Sequence, residues 1–241
     1  MGNYPYDNSF PSYHSTSAAE VKANARKTLA KSKKTLHPVI LEGRTIAKTW
    51  WGKAWCNNLE RYSDYANRIG RGRSYVRSGA VLDLQMEKGL IKALVQGSRS
   101  KPYSVTIGID ALSPIRWDAI TKACSHRIAS MDALLEGQFP HELEMLFTDL
   151  SYGLFPAPKE IHIDCNCPDW AILCKHAAAV LYAVGSRLDE DPLHFFTLRS
   201  MDFSVLLQRT VEEKSSLMLQ NAGKPSARTL PEEVARNLFG M

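Results

Sequence analysis

The strongest constraint on this 241-residue chain is a group of thiols and one imidazole between residues 165 and 176. Cys165 and Cys167 are two residues apart and continue an alternating segment that begins at Ile161. Residues at this spacing emerge from the same face of an extended strand. Pro168 then interrupts the hydrogen-bond ladder and turns the chain. The sequence therefore predicts a strand that ends with two neighbouring thiols.

The second half of the group is predicted to lie at the start of a helix. Cys174 and His176 precede residues 177–188, an apolar segment with helical character. Inside a helix, two residues at this spacing point about 200° apart and could not bind one ion together. If Cys174 lies at the N-cap and His176 in the first turn, both side chains can point back to the strand.

Three thiolates and one imidazole suit a tetrahedral zinc ion. Four protein ligands leave no open position for water, so we predict one structural Zn²⁺ rather than a catalytic one. A dithiol redox pair is the alternative interpretation of the two strand cysteines. His162 and His194 are weaker candidate ligands, because the first leaves the opposite strand face and the second is distant in sequence. The predicted ligands are Cys165, Cys167, Cys174 and His176.

The segments Cys165-Asn-Cys167-Pro168 and Cys174-Lys-His176 resemble the SWIM zinc finger, whose pattern is Cys-x-Cys followed by Cys-x-His. The segments WWGKAWCNNLE and SYVRSGAV also resemble bacterial proteins that carry this finger. The resemblance implies a zinc-holding ββα module that binds DNA or protein and has no catalytic activity of its own. It also implies a role as an accessory to helicase-like ATPases of the Swi/Snf type.

The rest of the chain predicts an α+β fold, in which an N-terminal antiparallel β-meander with helices precedes the small ββα-type zinc finger and further helices follow it. The predicted elements are a helix at Thr45–Ile69, a loop at Gly70–Ser74, strands within 74–87, 90–98 and 103–109, helices within 114–150, a turn or linker at Phe155–Pro158 and a helix at Phe203–Val211. The predicted domains are a basic, partly disordered arm (1–40), an α+β domain (41–156), the zinc finger (157–200) and a short helix with a polar tail (201–241).

Positive charge is concentrated in the first third of the chain. Residues 1–83 contain 14 Lys and Arg and 6 Asp and Glu, whereas the remaining residues contain 16 and 19. A positive segment adds salt-dependent affinity for nucleic acid, although a solvated tail that only aids solubility has the same composition. Tyr75 is predicted either to stack on a base or to pack in a strand. The candidate nucleic-acid contacts are Lys22, Arg26, Lys27, Lys31, Lys33 and Lys34 in one run and Arg68, Arg71, Arg73 and Arg77 around two glycines.

Several classes of function are disfavoured by the sequence. The longest nearly uncharged apolar stretch, residues 177–185, is about half of the ~20 residues needed to cross a bilayer, so we expect no membrane partner. The N-terminal segment lacks the basic and apolar regions of a secretion signal, so we expect a cytoplasmic protein. The local motifs of zinc deaminases, zinc proteases and serine hydrolases are absent, so we expect no enzyme.

These observations lead to one main hypothesis and two alternatives. The main hypothesis is a zinc-binding module for DNA or other nucleic acid, for protein, or for both, accessory to a helicase-like ATPase. The first alternative is a non-catalytic scaffold subunit of a protein complex without direct nucleic-acid contact. The second is a thiol redox enzyme.

Overall fold

The computed structural model describes residues 17–60, 66–127, 141–149, 153–169 and 171–221. The outer parts of the predicted arm and tail, residues 1–16 and 222–241, lie outside the described residues. The described helices are α1 (Ala18–Lys31), α2 (Trp50–Glu60), α3 (Ala66–Arg77), α4 (Pro114–Arg127), α5 (Glu144–Thr148), α6 (Lys175–Glu190), α7 (His194–Leu198) and α8 (Phe203–Asn221). The described strands are β1 (Val81–Glu87), β2 (Leu90–Val95), β3 (Tyr103–Ile109) and β4 (Ile161–Cys165).

The four strands form one antiparallel sheet in the order β1-β2-β3-β4, which confirms the predicted meander and α+β class. Ile107 of β3 lies opposite Ile91 of β2 on one side and Ile163 of β4 on the other. The zinc-finger strand β4 is therefore the fourth strand of the meander. The sheet contains residues from both sides of the predicted boundary at residue 157.

The helix α6 lies at the centre of the fold and contacts all four strands as well as α2 and α3. Its residues from His176 to Gly185 are all buried. A helix that is buried on every side is apolar all round rather than amphipathic, which explains the alanine-rich sequence of this segment. Because α6 begins beside the predicted metal ligands, the site is joined directly to the core.

The predicted loop at Gly70–Ser74 is wrong, because these residues lie within α3. Gly72 faces α6, and a Cβ atom at this position would lie 2.5 Å from Cβ of Ala178. The glycine allows two helix backbones to approach closely, a role that a single sequence cannot distinguish from that of a flexible loop. The predicted strand starting at Ser74 is also corrected, because α3 continues to Arg77 and β1 begins only at Val81.

We expect Gly72→Ala to destabilise the protein although alanine is the better helix former. The added methyl group overlaps Ala178, and overpacking of this kind costs about 1–3 kcal/mol. Gly70→Ala is the matched control in the same helix, because no atom lies within 4 Å of its added Cβ and its gain is about 1 kcal/mol. Urea unfolding should therefore move the two midpoints in opposite directions. Equal midpoints would contradict the close packing of α3 on α6.

The predicted helix at Thr45–Ile69 begins later, at Trp50, and α3 starts at Ala66. The Thr49 hydroxyl accepts a hydrogen bond from the Gly52 N–H at 3.1 Å and so caps α2. Asp189 of α6 accepts the backbone N–H groups of Lys48 and Thr49, at 2.5 and 3.2 Å. The Asp189 carboxylate, which is distant in sequence, thus holds Lys48 and Thr49 in a non-helical conformation just before α2.

The basic run of the predicted arm forms α1, which packs on the body of the protein. Ser17 and Glu20 form a capping box at its N-terminus. Val21 and Ala25 on one face are fully or almost fully buried. The Thr28 hydroxyl also donates to Oε1 of the buried Gln96 side chain at 2.8 Å. This part of the arm therefore has a fixed position.

The entry into β4 is held by a buried ionic cluster. Glu160 accepts hydrogen bonds from Arg116 at 3.1 Å and from the buried Arg199 at 3.0 Å. Burial raises the pKa of Glu160, but the Ala157 N–H and both guanidinium groups outweigh it and hold this pKa below its usual range. The carboxylate therefore stays ionised at neutral pH and anchors the first residues of the zinc-finger strand.

The last described helix, α8, continues to Asn221, ten residues beyond the predicted end at Val211. Among the described residues, no helix combines the length and the apolar composition that crossing a membrane requires.

Candidate metal centre

The structure brings Cys165, Cys167, Cys174 and His176 together at one end of the sheet. One ligand atom from each residue lies within 4.8 Å of every other. In a tetrahedral site with Zn–S distances of about 2.3 Å, two sulfurs lie about 3.8 Å apart. The four donors therefore fit one zinc ion after only small inward movements. We call this end of the sheet, where β2 and β4 end and β3 begins, the zinc end.

The strand half of the site is positioned by the pairing of β4 with β3. Cys165 lies opposite Val105 in this ladder. The Asn166 N–H continues the ladder with a bond of 3.2 Å to the Ser104 carbonyl oxygen. Cys165 and Cys167 are half-buried whereas Asn166 between them is exposed. Both thiols therefore emerge from the inner face, as the spacing of two predicted.

The helix half of the site begins at Cys174, which is the N-cap of α6. Its sulfur accepts a hydrogen bond from the Ala177 N–H at 3.4 Å. His176 follows in the first turn, and its Nδ1 atom lies 4.0 Å from the Cys174 sulfur. Both residues are almost completely buried. The predicted placement of Cys174 at the N-cap and His176 in the first turn is thus confirmed. Because the N-cap residue is extended rather than helical, the two side chains do not point about 200° apart and can face the same ion.

The loop between the two halves is tied to α3 by an ion pair. The Arg68 guanidinium lies 3.2 Å from the Asp169 carboxylate. The same carboxylate accepts the Ala171 N–H at 3.3 Å and so closes a local turn. Trp170, predicted to cover the site, lies outside the described residues. Arg68, a predicted nucleic-acid contact, thus also supports the loop that carries Cys167.

Two tyrosines and one glycine enclose the His176 ring. The Tyr103 ring centroid is 4.3 Å from the imidazole centroid, and that of Tyr75 is 5.5 Å away. The buried Nε2 atom has no hydrogen-bond partner among the described residues. Aromatic packing therefore fixes the orientation of the ring. Tyr75 packs as predicted, but in α3 rather than in a strand, and Gly97 and Tyr103 gave no signal because only the folded sheet brings them to the site.

Without metal, the three thiols share protons unequally. A hydrogen bond from Cys165, followed by contributions from His176 and the Ala177 N–H, lowers the pKa of Cys174 to about 4 despite its burial. The same hydrogen bond and burial raise the pKa of Cys165, and burial raises that of Cys167. Cys174 is therefore the thiol of the site that loses its proton most readily. Because metal ligands must be thiolates, metal binding releases protons.

We expect Gly97→Ala to weaken zinc binding about 10–100-fold, the range for changes beside metal ligands. The added Cβ would overlap the Tyr103 ring and lie 3.0 Å from Nε2 of His176, so the imidazole must move. Gly108→Ala in β3 is the control, because its added Cβ meets the nearest atom at 3.7 Å. Competition with a chromophoric chelator measures both affinities. Equal affinities of the two variants would show that the ring is not held by this packing.

The four predicted arginine contacts do not form one cluster. Arg68 and Arg71 lie on one side of the buried stripe of α3, and Arg73 and Arg77 on the other, as helical spacing requires. Arg73 pairs with Glu60 at 3.1 Å. The Arg77 Nε atom donates to a backbone carbonyl oxygen at 2.9 Å, whereas Arg71 is exposed. In the basic run, Lys31, Lys33 and Lys34 are all exposed.

The two other candidate histidines lie away from the metal centre. His162 is exposed and contacts Asp110 at 2.8 Å. His194 contacts Asp191 at 3.9 Å at the beginning of α7. Neither belongs to the group of donors at the zinc end.

The comparison with known families agrees with this geometry. The family model of the SWIM zinc finger matches residues 150–185, which include all four donors. The fold and the site thus define a SWIM zinc finger protein with one structural zinc ion held by Cys165, Cys167, Cys174 and His176.

A relative shows that the similarity extends beyond the finger. The chain is 37% identical over 194 residues to the uncharacterized protein Rv2102 of Mycobacterium tuberculosis. The aligned part covers 80% of this chain and 68% of the relative. The chain therefore belongs to the same family as this mycobacterial protein. No solved structure matches it.

Proposed function

We propose that this chain is a non-catalytic nucleic-acid-binding module, whose binding surface is held in shape by the structural zinc ion. The closed set of four ligands supports a structural role, because a catalytic zinc site keeps one position open for water or substrate. The role as an accessory to a helicase-like ATPase is a further part of the proposal and rests on the resemblance of the finger.

The observation that carries the proposal is a row of exposed cations at fixed positions. Between Ser17 and Lys34 the only acidic residue is Glu20. The cations, all exposed, are Lys22, Arg26, Lys27, Lys31, Lys33 and Lys34. They are presented by α1 or follow directly after it, and α1 spans about 20 Å. A row of this length can contact several successive phosphates.

The packing of α1 on the core reduces the entropy that its cations lose when they bind phosphates. A solvated tail would lose conformational entropy when it ordered on a phosphate backbone. Because Val21 and Ala25 are buried against the core, much of that cost is met when the protein folds. The hydrogen bond from Thr28 to Gln96 also places the end of α1 beside the zinc end.

The proposal is tested by fluorescence anisotropy with the zinc-loaded full chain. The probes are a fluorescein-labelled oligothymidine and a labelled duplex of the same length, each titrated at several salt concentrations. We expect Kd of about 10⁻⁴–10⁻⁶ M near physiological salt, tightening steeply as the salt is lowered. Absence of binding to both probes at low salt would falsify the proposal. It would favour the scaffold alternative, especially if a protein partner co-purified from nuclease-treated lysate.

The contribution of α1 is tested with a charge-matched pair of variants. K27A/K31A removes two cations from the exposed face of α1, and K88A/K92A removes two from the opposite end of the sheet. We expect only the first to lower the slope of log K against log salt, by about 0.7 per lost contact with a single strand. Equal slopes would show that α1 makes no phosphate contact.

A further inference from the structure

A cleft opens at the zinc end, between the loop that joins β2 to β3 and the segment between the two strand cysteines. Its volume is about 470 Å³. The lining residues provide two cations, a hydroxyl, an amide and apolar ring surface, and none of them is acidic. They are Arg99, Ser100, Lys101, Pro102, Tyr103 and Asn166.

The loop side of the cleft is held in place by Gln96, a fully buried polar residue. Its Nε2 atom donates to the carbonyl oxygens of Gly97 at 3.1 Å and Arg99 at 2.6 Å, while its Oε1 atom accepts from Thr28 of α1. One side chain therefore connects the basic helix to the loop of the cleft. The Arg99 side chain is exposed, with its guanidinium carbon 5.7 Å from the centroid of the Tyr103 ring.

The opposite side of the cleft is formed by Asn166, which lies between two zinc ligands. Its Oδ1 atom accepts the Ser104 N–H at 3.0 Å. This bond leaves the amide Nδ2 atom to donate to an occupant of the cleft. The cleft therefore offers cationic and neutral hydrogen-bond donors, which suit phosphate oxygens and the carbonyl oxygens of bases.

We propose that this cleft binds a nucleotide of an unpaired nucleic-acid strand whose phosphates continue along α1. In this arrangement, Arg99 and Lys101 contact the phosphate and Asn166 donates to the base. The volume of the cleft is comparable with that of one nucleotide, and a base can enter it only when it is not held in a duplex. The inference rests on the proposed function, since it names the part of the molecule that holds the strand.

Zinc and the cleft are coupled by contacts on both sides. On one side, Asn166 lies between the ligands Cys165 and Cys167 and is held by its backbone hydrogen bond to Ser104 of β3. On the other side, Gly97 at the base of the loop lies against the His176 ring. Removal of the metal is expected to loosen both walls, because it removes the constraint on Cys165, Cys167 and His176 beside them. The nucleotide site is therefore expected to exist only in the zinc-loaded chain, which makes the metal a structural requirement for binding.

The test compares R99A/K101A with K88A/K92A, which removes the same charge at the opposite end of the sheet. Each zinc-loaded variant is titrated with labelled oligothymidine and with the labelled duplex. We expect R99A/K101A to bind oligothymidine roughly tenfold more weakly at low salt and with a reduced salt slope, whereas K88A/K92A stays close to the native chain. Zinc content and unfolding midpoint are measured for each variant to show that the fold is intact.

Asn166→Asp tests the base contact without changing the size of the side chain. The aspartate keeps an acceptor for the Ser104 N–H but replaces the donor that faces the cleft by an anionic oxygen. We expect it to retain zinc and to bind oligothymidine at least as weakly as R99A/K101A. Native affinity in this variant would overturn the assignment of Asn166.

The outcomes separate this inference from the proposed function. Binding by the native chain with equal losses in R99A/K101A and K88A/K92A would overturn the cleft and leave nucleic-acid binding in place. A loss of affinity that is confined to the duplex would overturn the assignment of the occupant as an unpaired strand. Displacement of oligothymidine by poly-glutamate of matched charge would identify an acidic protein as the preferred occupant and overturn the proposal. Absence of binding by the native chain would remove the proposed function and the cleft assignment with it.

Discussion

Replacing Cys174 by serine is expected to release the zinc ion and to unfold the region from residue 160 to residue 190. Serine keeps an oxygen that can accept the Ala177 N–H, so the first turn of α6 can still be capped. The hydroxyl does not ionise, however, and a thiolate ligand is lost. Zinc contributes about 10–16 kcal/mol to the folding of zinc-finger peptides, whereas whole domains are stable by about 5–15 kcal/mol.

The effect should extend beyond the finger because of where α6 lies. The helix contacts every strand of the sheet, so a loosened first turn exposes core surface. Elemental analysis should give close to one zinc per native chain and close to none in the variant. Hydrogen exchange should become faster in β4 and in the first turns of α6.

Cys56→Ser is the matched control for this experiment. Cys56 is also buried, but it lies on α2 against Gly185, and burial raises the pKa of its thiol to about 12. It is therefore a packing residue. We expect this variant to keep its zinc and to lose only about 1–3 kcal/mol for the buried hydroxyl. Retention of zinc and of native melting by the Cys174 variant would contradict the four-ligand site.

Replacing Trp55 by alanine is expected to cost about 3–5 kcal/mol, the second largest effect. Trp55 is 2% exposed and its ring lies at 6.0 Å from Phe195 and 6.1 Å from Phe155, measured between centroids. Its indole N–H donates to the Leu181 carbonyl oxygen of α6 at 2.8 Å. Removal of the ring leaves a cavity between α2 and α6 and deletes this hydrogen bond.

Trp55→Phe separates the two contributions. It keeps much of the aromatic volume and removes only the hydrogen bond and the outer ring, so a loss of about 1–2 kcal/mol is expected. Urea unfolding followed by circular dichroism measures both variants, and zinc content should stay unchanged in each. A cost for alanine no larger than that for phenylalanine would show that the cavity has collapsed and that packing around Trp55 is not limiting.

The metal centre was predictable because its chemistry is local in sequence. Cys165 and Cys167 share one strand face by the period of two, and Cys174 had to lie at an N-cap for His176 to reach the same ion. Each statement depends on the backbone geometry of a few successive residues. The residues that orient the site were not predictable in this way. Tyr75, Gly97 and Tyr103 reach the imidazole only through the packing of α3 and of the sheet.

The glycine-rich segment was misjudged because the packing partner of Gly72 is distant in the chain. Gly72 indicated a flexible loop, but it lies in α3, where its missing Cβ leaves room for Ala178 of α6. Arg68, a predicted phosphate contact, forms an ion pair with Asp169, which is far away in sequence. Conversely, Arg99 and Lys101 were not predicted as binding residues from the sequence, because the cleft that they line exists only when β3 lies between β2 and β4.

The amino-acid order alone determined the metal, its four ligands and the antiparallel meander, since donor type and strand period are properties of neighbouring residues. The tertiary structure decided which surface those elements share. It docked the basic helix through Val21 and Thr28, divided the arginines of α3 between two sides, and joined the finger to the core through α6. Close packing decides such contacts, because it depends on the shapes of side chains that meet only after the chain has folded.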